Sequence, residues 1–595
     1  MSATVLSLKI PAGIQRDGTL FDAPTYVDGK WVRFQRGRPR KMGGYVGIFQ
    51  NATDISRGMI MNSQNGLNYV YSGYDNGLQY WVTDIDDGVG SGPYPITMSG
   101  FTPSALNNWQ FDIGYDSNGS GADTLVAHPS QDLGTIDSTI NTPVLSGAFP
   151  GGALSPVGVF TASAALTNGS PTATITGLNA LVGAGQSITG TGIPANTTVI
   201  SAVVTGGNTV VTMSANYTGT TGTQTLTFDN NISVSGGTCI IYPYLFVYGN
   251  NGLIQNSSAG NFQNWVAADA NANNVATGKI IKGIPVRGGT TSPSGLFWSL
   301  DSLVRVSFAP TTISTTATTS VTSYWKYDLI SCQSSLLSSN SIIEYDGLYY
   351  WCGVDRFLMY NGVVQEVPNG MNQNFFFDNL NYSQRQKVWA SKVPRWGEIW
   401  WFYPSGDSVE CNNAIVYNVR EKTWYDAGFA LGARRSAGTF SEVFRFPVWA
   451  GNDVTSNTTT IWQHEKGVNS VNLSQQDAVQ SYFETNNIGL VTGGPGQSTQ
   501  TIQGNNNWIR LERMEPDFVQ SGQMNFYVTG KGYADAEDVT SPPYTFDPTT
   551  LKIDLREQRR EMRLRFESNV VNGNYETGNI LLSAEVGDVR STGNP

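Results

Sequence analysis

Tyr69-Val70-Tyr71-Ser72-Gly73-Tyr74-Asp75-Asn76-Gly77-Leu78-Gln79-Tyr80-Trp81 sets two apolar and aromatic runs on either side of an Asp-Asn-Gly turn. Such runs flanking such a turn predict a tight β-hairpin. The form recurs. Leu245-Phe246-Val247-Tyr248 precedes Leu253-Ile254, Leu296-Phe297-Trp298 precedes Leu303-Val304-Arg305-Val306, and Tyr349-Tyr350-Trp351 precedes Phe357-Leu358-Met359-Tyr360. Ile399-Trp400-Trp401-Phe402 with Ala414-Ile415-Val416-Tyr417, and Phe446-Pro447-Val448-Trp449 with Ile461-Trp462, extend the series, and Thr124-Leu125-Val126-Ala127 opens a weaker copy.

The copies start at 69, 124, 245, 296, 349, 399 and 446, at intervals of 55, 121, 51, 53, 50 and 47 residues. The long interval contains its own explanation. From Gly158 to Phe228 there is no Asp, Glu, Lys or Arg, and Thr, Ala, Gly and Val alternate as strands do. Removing that segment restores a spacing near fifty. Short strands at such a period predict propeller blades, because each small sheet hides its faces against its neighbours. The competing reading is a run of unrelated hairpins; a helical solenoid is disfavoured by the missing 3.6-residue periodicity.

The chain therefore reads as all-β, with a propeller-like body of repeated hairpin units. The expected organisation is the first part of the body at 1–157, an inserted uncharged Ig-like β-sandwich at 158–229, the second part of the body at 230–479, and a C-terminal β-sandwich at 480–595. The last block has its own strand signals, in Trp508–Met514, Met524–Val528, Ile580–Val586 and the period-two alternation of Met562-Arg563-Leu564-Arg565-Phe566-Glu567.

Composition removes several function classes. The 595 residues carry 35 Lys and Arg against 46 Asp and Glu, a net charge of −11, which disfavours a protein that coats DNA. Charged residues are 14% of the chain, against about 25% in typical soluble domains, so Ser, Thr, Asn, Gly and aromatics carry the surface. No stretch is long and apolar enough for a membrane span, and the N-terminus lacks a secretory pattern. Cys239, Cys332, Cys352 and Cys411 are irregularly spaced and read as buried free thiols in a protein made in a reducing cytoplasm. The two histidines, His128 beside Pro129 and His464 before Glu465-Lys466, read as loop residues. With so few histidines and no phosphate loop, triad, zinc and nucleotide chemistry lack their parts, and no cofactor is expected.

Lys30, Arg33, Arg36, Arg38, Arg40 and Lys41 place six cations in twelve residues without an acid, interleaved with Trp31, Val32 and Phe34. Such a run attracts phosphate in isolation. On an acidic chain it reads instead as a subunit or partner contact, or as a strand whose arginines pair with acids elsewhere. A second cluster, Arg556, Arg559, Arg560, Arg563 and Arg565, is diluted by Glu557 and Glu561 and reads as a solvated or intersubunit strand face. The many aromatics leave a glycan-binding or glycan-cleaving protein as the alternative. Cleavage needs two acids across a cleft, and Glu344, Asp346, Asp355 and Glu398 are available without a spacing that selects a pair.

Phe377-Asp378-Asn379-Leu380-Asn381, Lys387-Val388-Trp389-Ala390, Glu398-Ile399-Trp400-Trp401-Phe402-Tyr403-Pro404-Ser405 and Tyr417-Asn418-Val419-Arg420-Glu421-Lys422-Thr423-Trp424-Tyr425 together resemble structural proteins of short-tailed bacteriophages. Those form the tail nozzle or tail hub group, also called packaged-DNA stabilisation proteins. Tyr26-Val27-Asp28-Gly29-Lys30-Trp31-Val32-Arg33 with Gly43-Gly44-Tyr45 is similar too. The uncharged segment, through Gly190-Thr191-Gly192-Ile193-Pro194-Ala195-Asn196-Thr197-Thr198, resembles a small β module of virion proteins. The resemblance implies a virion tail protein, a hexameric ring below the portal-adaptor protein, genome DNA passing through without specific binding, and attached tail fibre or spike proteins. It carries no catalytic motif, so no enzyme activity is expected.

Overall fold

A computed structural model describes residues 4–20, 23–83, 90–98, 107–131, 140–286, 292–314, 320–441, 444–453, 458–488, 507–532 and 536–589. Within them the body is a β-propeller of seven four-stranded blades, the last of which is widened by two further strands. Blade 1 runs Ser56–Gln64, Leu67–Tyr74, Gly77–Thr83, Ser91–Pro95, and blade 2 runs Asn107–Tyr115, Asp123–Gln131, Leu145–Ala148, Ser155–Pro156. Blades 3 to 6 begin at Gly237, Ile280, Ile343 and Trp389. Blade 7 takes Arg435–Thr439, Val448–Gly451 and Thr458–His464, and is completed by Tyr45–Thr53 from near the start of the chain. That borrowed strand closes the ring, since blade 1 follows it directly in sequence.

Six of the seven hairpin starts read from the sequence fall on the second strand of a blade, and the seventh, Phe446, lies two residues ahead of one. The reason is burial on both faces. Leu245 and Val247 of blade 3 pack toward blade 2 with Val126, whereas Phe246 and Tyr248 pack toward blade 4 with Phe297 and Trp325. A strand covered on both sides reads as a continuous apolar run rather than an alternating one. The other interfaces repeat the division: Leu296 and Trp298 meet Tyr349 and Trp351, Tyr350 meets Trp401, Trp400 and Phe402 meet Trp449, Val448 meets Val70, and Tyr71 meets Leu125. Some contacts need a bare backbone: a Cβ on Gly73 would lie 2.1 Å from the Trp109 ring.

The uncharged segment forms one hydrogen-bonded path of six strands around its own core, with Ser187–Thr189 at one end of the path and Val199–Thr205 at the other. A bridge between Ser187 and Thr198 draws the ends of the path together, so the expected sandwich takes the form of a rolled sheet. Chain entry and exit are adjacent, with Val159 opposite Asp229.

The C-terminal block contains three sheets, and each includes a strand from the N-terminus: Thr4–Ser7 pairs Leu581–Val589, Asp28–Lys30 pairs Ser481–Glu484, and the Val32–Gln35/Arg38–Lys41 hairpin joins Asn574–Thr577. This corrects the sequence reading, which gave the first residues to the body. Short strands with mixed polarity carry no sign of their partner, and these partners lie at the far end of the chain. Two further expectations change. His128 and His464 are strand residues at 0% exposure, not loop residues. Of the thiols, Cys239, Cys352 and Cys411 are buried but Cys332 is exposed. No described helix is long and apolar enough to cross a membrane.

Candidate functional site

The basic run turns at Arg36-Gly37, where both residues adopt positive φ, 53° and 72°, and Gln35 pairs with Arg38 across the turn. The hairpin is thereby wedged between the C-terminal sheets and blades 6 and 7. Arg33, at 1% exposure, lies between two acids: Nε is 2.8 Å from Glu398 Oε1, and Nη1 donates to Glu465 Oε2 at 2.5 Å. Its guanidinium also stacks over the Trp396 ring, with 4.8 Å to the centroid. Glu398 accepts from Trp400 Nε1 at 2.9 Å and Tyr425 Oη at 2.7 Å, and Glu465 accepts from Trp396 Nε1 at 2.8 Å.

The cluster sets two carboxyl groups against one guanidinium. Burial holds the Glu398 carboxyl above the ordinary glutamate range against the pull of Arg33, and the like charge of Glu465 adds to the rise. Around it Trp31 meets Trp400 edge to face at 5.7 Å, and Trp31 Nε1 donates to Gly43 O at 2.9 Å. Arg16 ties the same region to blade 6, pairing with Asp426 at 3.0 Å and Asp28 at 2.5 Å.

The other cations of the run are also engaged within the chain. Lys30 Nζ donates to Gln480 at 3.0 Å, Arg40 pairs with Glu576 at 2.9 Å, and Arg38 donates to Leu8 O at 3.2 Å and to Asn579. Lys41, at 2% exposure, donates to Gly573 O at 2.8 Å, and burial lowers its pKa to about 8. Arg33 and Lys41 are therefore interior groups, which corrects their assignment to a partner contact. Arg36 is exposed, with only its backbone N–H bound to Glu421 at 3.0 Å. In the second cluster Arg563 is likewise not a surface residue: at 6% exposure it pairs with Glu484 at 2.7 Å and Asp538 at 2.6 Å.

The acids considered for cleavage are not brought together. Glu398 is sealed in the seam, Glu344 pairs with Lys392 at 3.1 Å, Asp346 occupies a turn, and exposed Asp355 pairs with Arg356 at 3.2 Å. On the propeller axis the first strands of the blades leave a cavity of about 190 Å³, lined by Trp109, Phe111, Lys282, Asn340, Trp389 and Thr439 among others, none of them a carboxylate. Near it, Arg57 of blade 1 binds Glu410 of blade 6 through two hydrogen bonds of 2.8 Å, and Lys387 reaches the same carboxylate at 2.8 Å. No group of three or more potential metal ligands occurs among the described residues.

No family model and no curated protein matches this chain. Solved structures that resemble it include the exo-β-1,3-galactanase of Phanerochaete chrysosporium, 11% identical over 91% of this chain and 99% of that one, with a TM-score of 0.24. The sialidase of Trypanosoma rangeli is 8% identical over 98% of this chain and 96% of its own, also with a TM-score of 0.24. Likeness of this degree fixes neither substrate nor chemistry.

Proposed function

We propose that the chain is a structural subunit of a short-tailed phage tail, one of six that close into a ring-shaped nozzle or hub below the portal-adaptor protein. In this reading the ring conducts the genome without specific binding and anchors tail fibres or spikes, in a virion assembled in the host cytoplasm. One observation carries it. The two stretches that resemble the nozzle group, 26–33 and 377–425, meet in the seam through Trp31 with Trp400 and Arg33 with Glu398. The residues behind the resemblance thus couple propeller to sandwich, the joint that a load-transmitting subunit needs to keep rigid.

Two further features agree with this reading. A closed ring uses a heterologous interface, commonly above about 1,200 Å², and exposed Arg36 at a hairpin tip is available to one. A subunit charge of −11 disfavours phosphate binding along a channel, so DNA slides rather than sticks. The test is to mix the purified chain with its adaptor ring and measure the mass of the complex, and separately to incubate the chain with host surface polysaccharide. Six copies per adaptor ring and no released oligosaccharide support the nozzle; oligosaccharide release without assembly supports the glycan-cleaving alternative.

A further inference from the structure

The uncharged module ends in an unguarded edge. Val199–Thr205 is the last strand of its hydrogen-bonded path. The outer side of that strand is held at Val199, which donates to Gln186 O at 2.8 Å and accepts from Gly185 N–H at 2.9 Å. From Ser201 to Thr205 no strand lies beside it among the described residues. Ile200, Val203 and Val204 are 59%, 56% and 61% exposed. Edge strands are normally guarded by charge or proline. This one has neither, and no other end strand of a described sheet is as long without them.

Blade 4 carries a matching feature. Its two outer strands, Leu303–Ser314 and Ser320–Ser331, have twelve residues each, whereas the inner two have six. Pairing with the inner strand Ser294–Ser299 stops at Ser307, so Thr311–Ser314 and Ser320–Ser323 pair only with each other among the described residues. A two-stranded ribbon of this kind is marginally stable in water without a third strand. Thr311 and Thr312 are exposed, and from Val306 to Trp325 there is no Asp, Glu, Lys or Arg.

We propose that the module edge receives a second copy of this chain, whose blade 4 ribbon adds Ser320–Ser323 as a new strand along Ser201–Thr205. Main-chain hydrogen bonds supply the affinity of such strand addition. The other ribbon strand is the poorer candidate, because it enters through Pro310 and a bulge between Phe308 and Thr311. Charge favours a copy as the occupant: chains of net charge −11 repel, and two of them meet at least cost through the parts that carry none. Pairing of two module edges needs a twofold axis, stops at a dimer and leaves the ribbon bare. Ribbon on edge joins unlike patches, so it can repeat from copy to copy. The contact would add to the proposed ring without resting on it, because it is measured on the isolated chain.

Sedimentation of the full-length chain over a range of concentrations tests this, with Val203→Lys to spoil the edge and Thr322→Pro to spoil the ribbon. The parent should associate beyond the dimer, and each variant alone should associate at least tenfold more weakly. An equimolar mixture of the two variants should regain dimers and stop there, since one intact ribbon meets one intact edge. A parent that stays monomeric, a Thr322→Pro chain that associates as the parent does, or a mixture no more associated than its components would each overturn the proposal. Amide exchange on the unmodified chain decides even where a variant fails to fold: protection of Ser201–Thr205 should rise with concentration, and protection independent of concentration would overturn the contact. Six-fold tails together with any of these negative results would retain the ring and discard the ribbon contact.

Discussion

Arg33 and Glu398, 365 positions apart in the chain, lie within 2.8 Å of one another with their side chains at 1% and 0% exposure. That contact joins the N-terminal hairpin, itself a part of the C-terminal sheets, to blade 6. Removing one member of a buried charge cluster costs more than the cluster contributes, because the remaining charges stay desolvated.

Arg33→Met should therefore destabilise the protein by about 3–5 kcal/mol. Glu398→Gln, which leaves Arg33 and Glu465 as a balanced pair, should cost far less. The sign of the pH dependence follows from the carboxyls. Glu398 already has a raised pKa, so its contribution is complete below the unfolded value of 4.5 and is lost as pH rises through the folded value. Without Arg33 that loss grows, and Arg33→Met should lie closest to the parent in acid and furthest from it above neutrality. Denaturant midpoints across pH check this; equal losses at every pH would refute it.

His128 predicts the opposite slope. Its Nε2–H faces Val234 O at 3.0 Å and Thr142 Oγ1 at 2.9 Å, and burial pushes its pKa down from 6.5 to about 4. The unfolded chain binds the proton first, so stability should fall as pH drops from about 6.5 to about 4, by up to roughly 3 kcal/mol at 1.36 kcal/mol per unit. His128→Gln should flatten that part of the profile while leaving neutral stability less affected. An unchanged slope would assign the acid sensitivity elsewhere, with His464, also held well below its ordinary pKa by burial and Arg435, as the next group to replace.

The uncharged module should be separable. Its core is its own, and Asn230 N–H donates to Gly158 O at 3.1 Å where the two chain crossings meet. Joining Gly158 to Asn230 should leave the propeller folded, and residues 159–229 alone should unfold cooperatively. Circular dichroism and thermal unfolding of both pieces measure this; loss of strand signal in the shortened chain would show that the body depends on the module.

The blades were legible in the sequence because their second strands, covered on both faces, are unbroken apolar runs such as Leu245–Tyr248. The innermost strands were not, since they surround the axis with short mixed segments such as Arg435–Thr439. The seam was illegible for another reason. Linear charge density sees Arg33, Arg36 and Arg38 as one patch, but the acids that absorb Arg33 lie hundreds of positions away. His464 was misread because Glu465 and Lys466 mark a turn, and its strand ends one residue before Glu465 adopts a φ of 63°.

Of the basic run, Arg36 is the residue whose side chain is left for a neighbour. Arg36→Glu should change stability by less than about 0.5 kcal/mol, as surface substitutions do, while weakening ring formation. Sedimentation of assembled and unassembled protein separates the two effects. Normal assembly with altered DNA retention would place this turn against the genome instead.

The central claim is that copies of this chain close into a six-fold ring around the DNA path, and electron imaging of intact tails with symmetry left free tests it most directly. The account predicts six equivalent propeller-and-sandwich subunits around an open channel, each with the strands Thr4–Ser7, Asp28–Lys30, Val32–Gln35 and Arg38–Lys41 in its own C-terminal sheets. Any other number of subunits, or chains bound singly at the tail periphery, would contradict it.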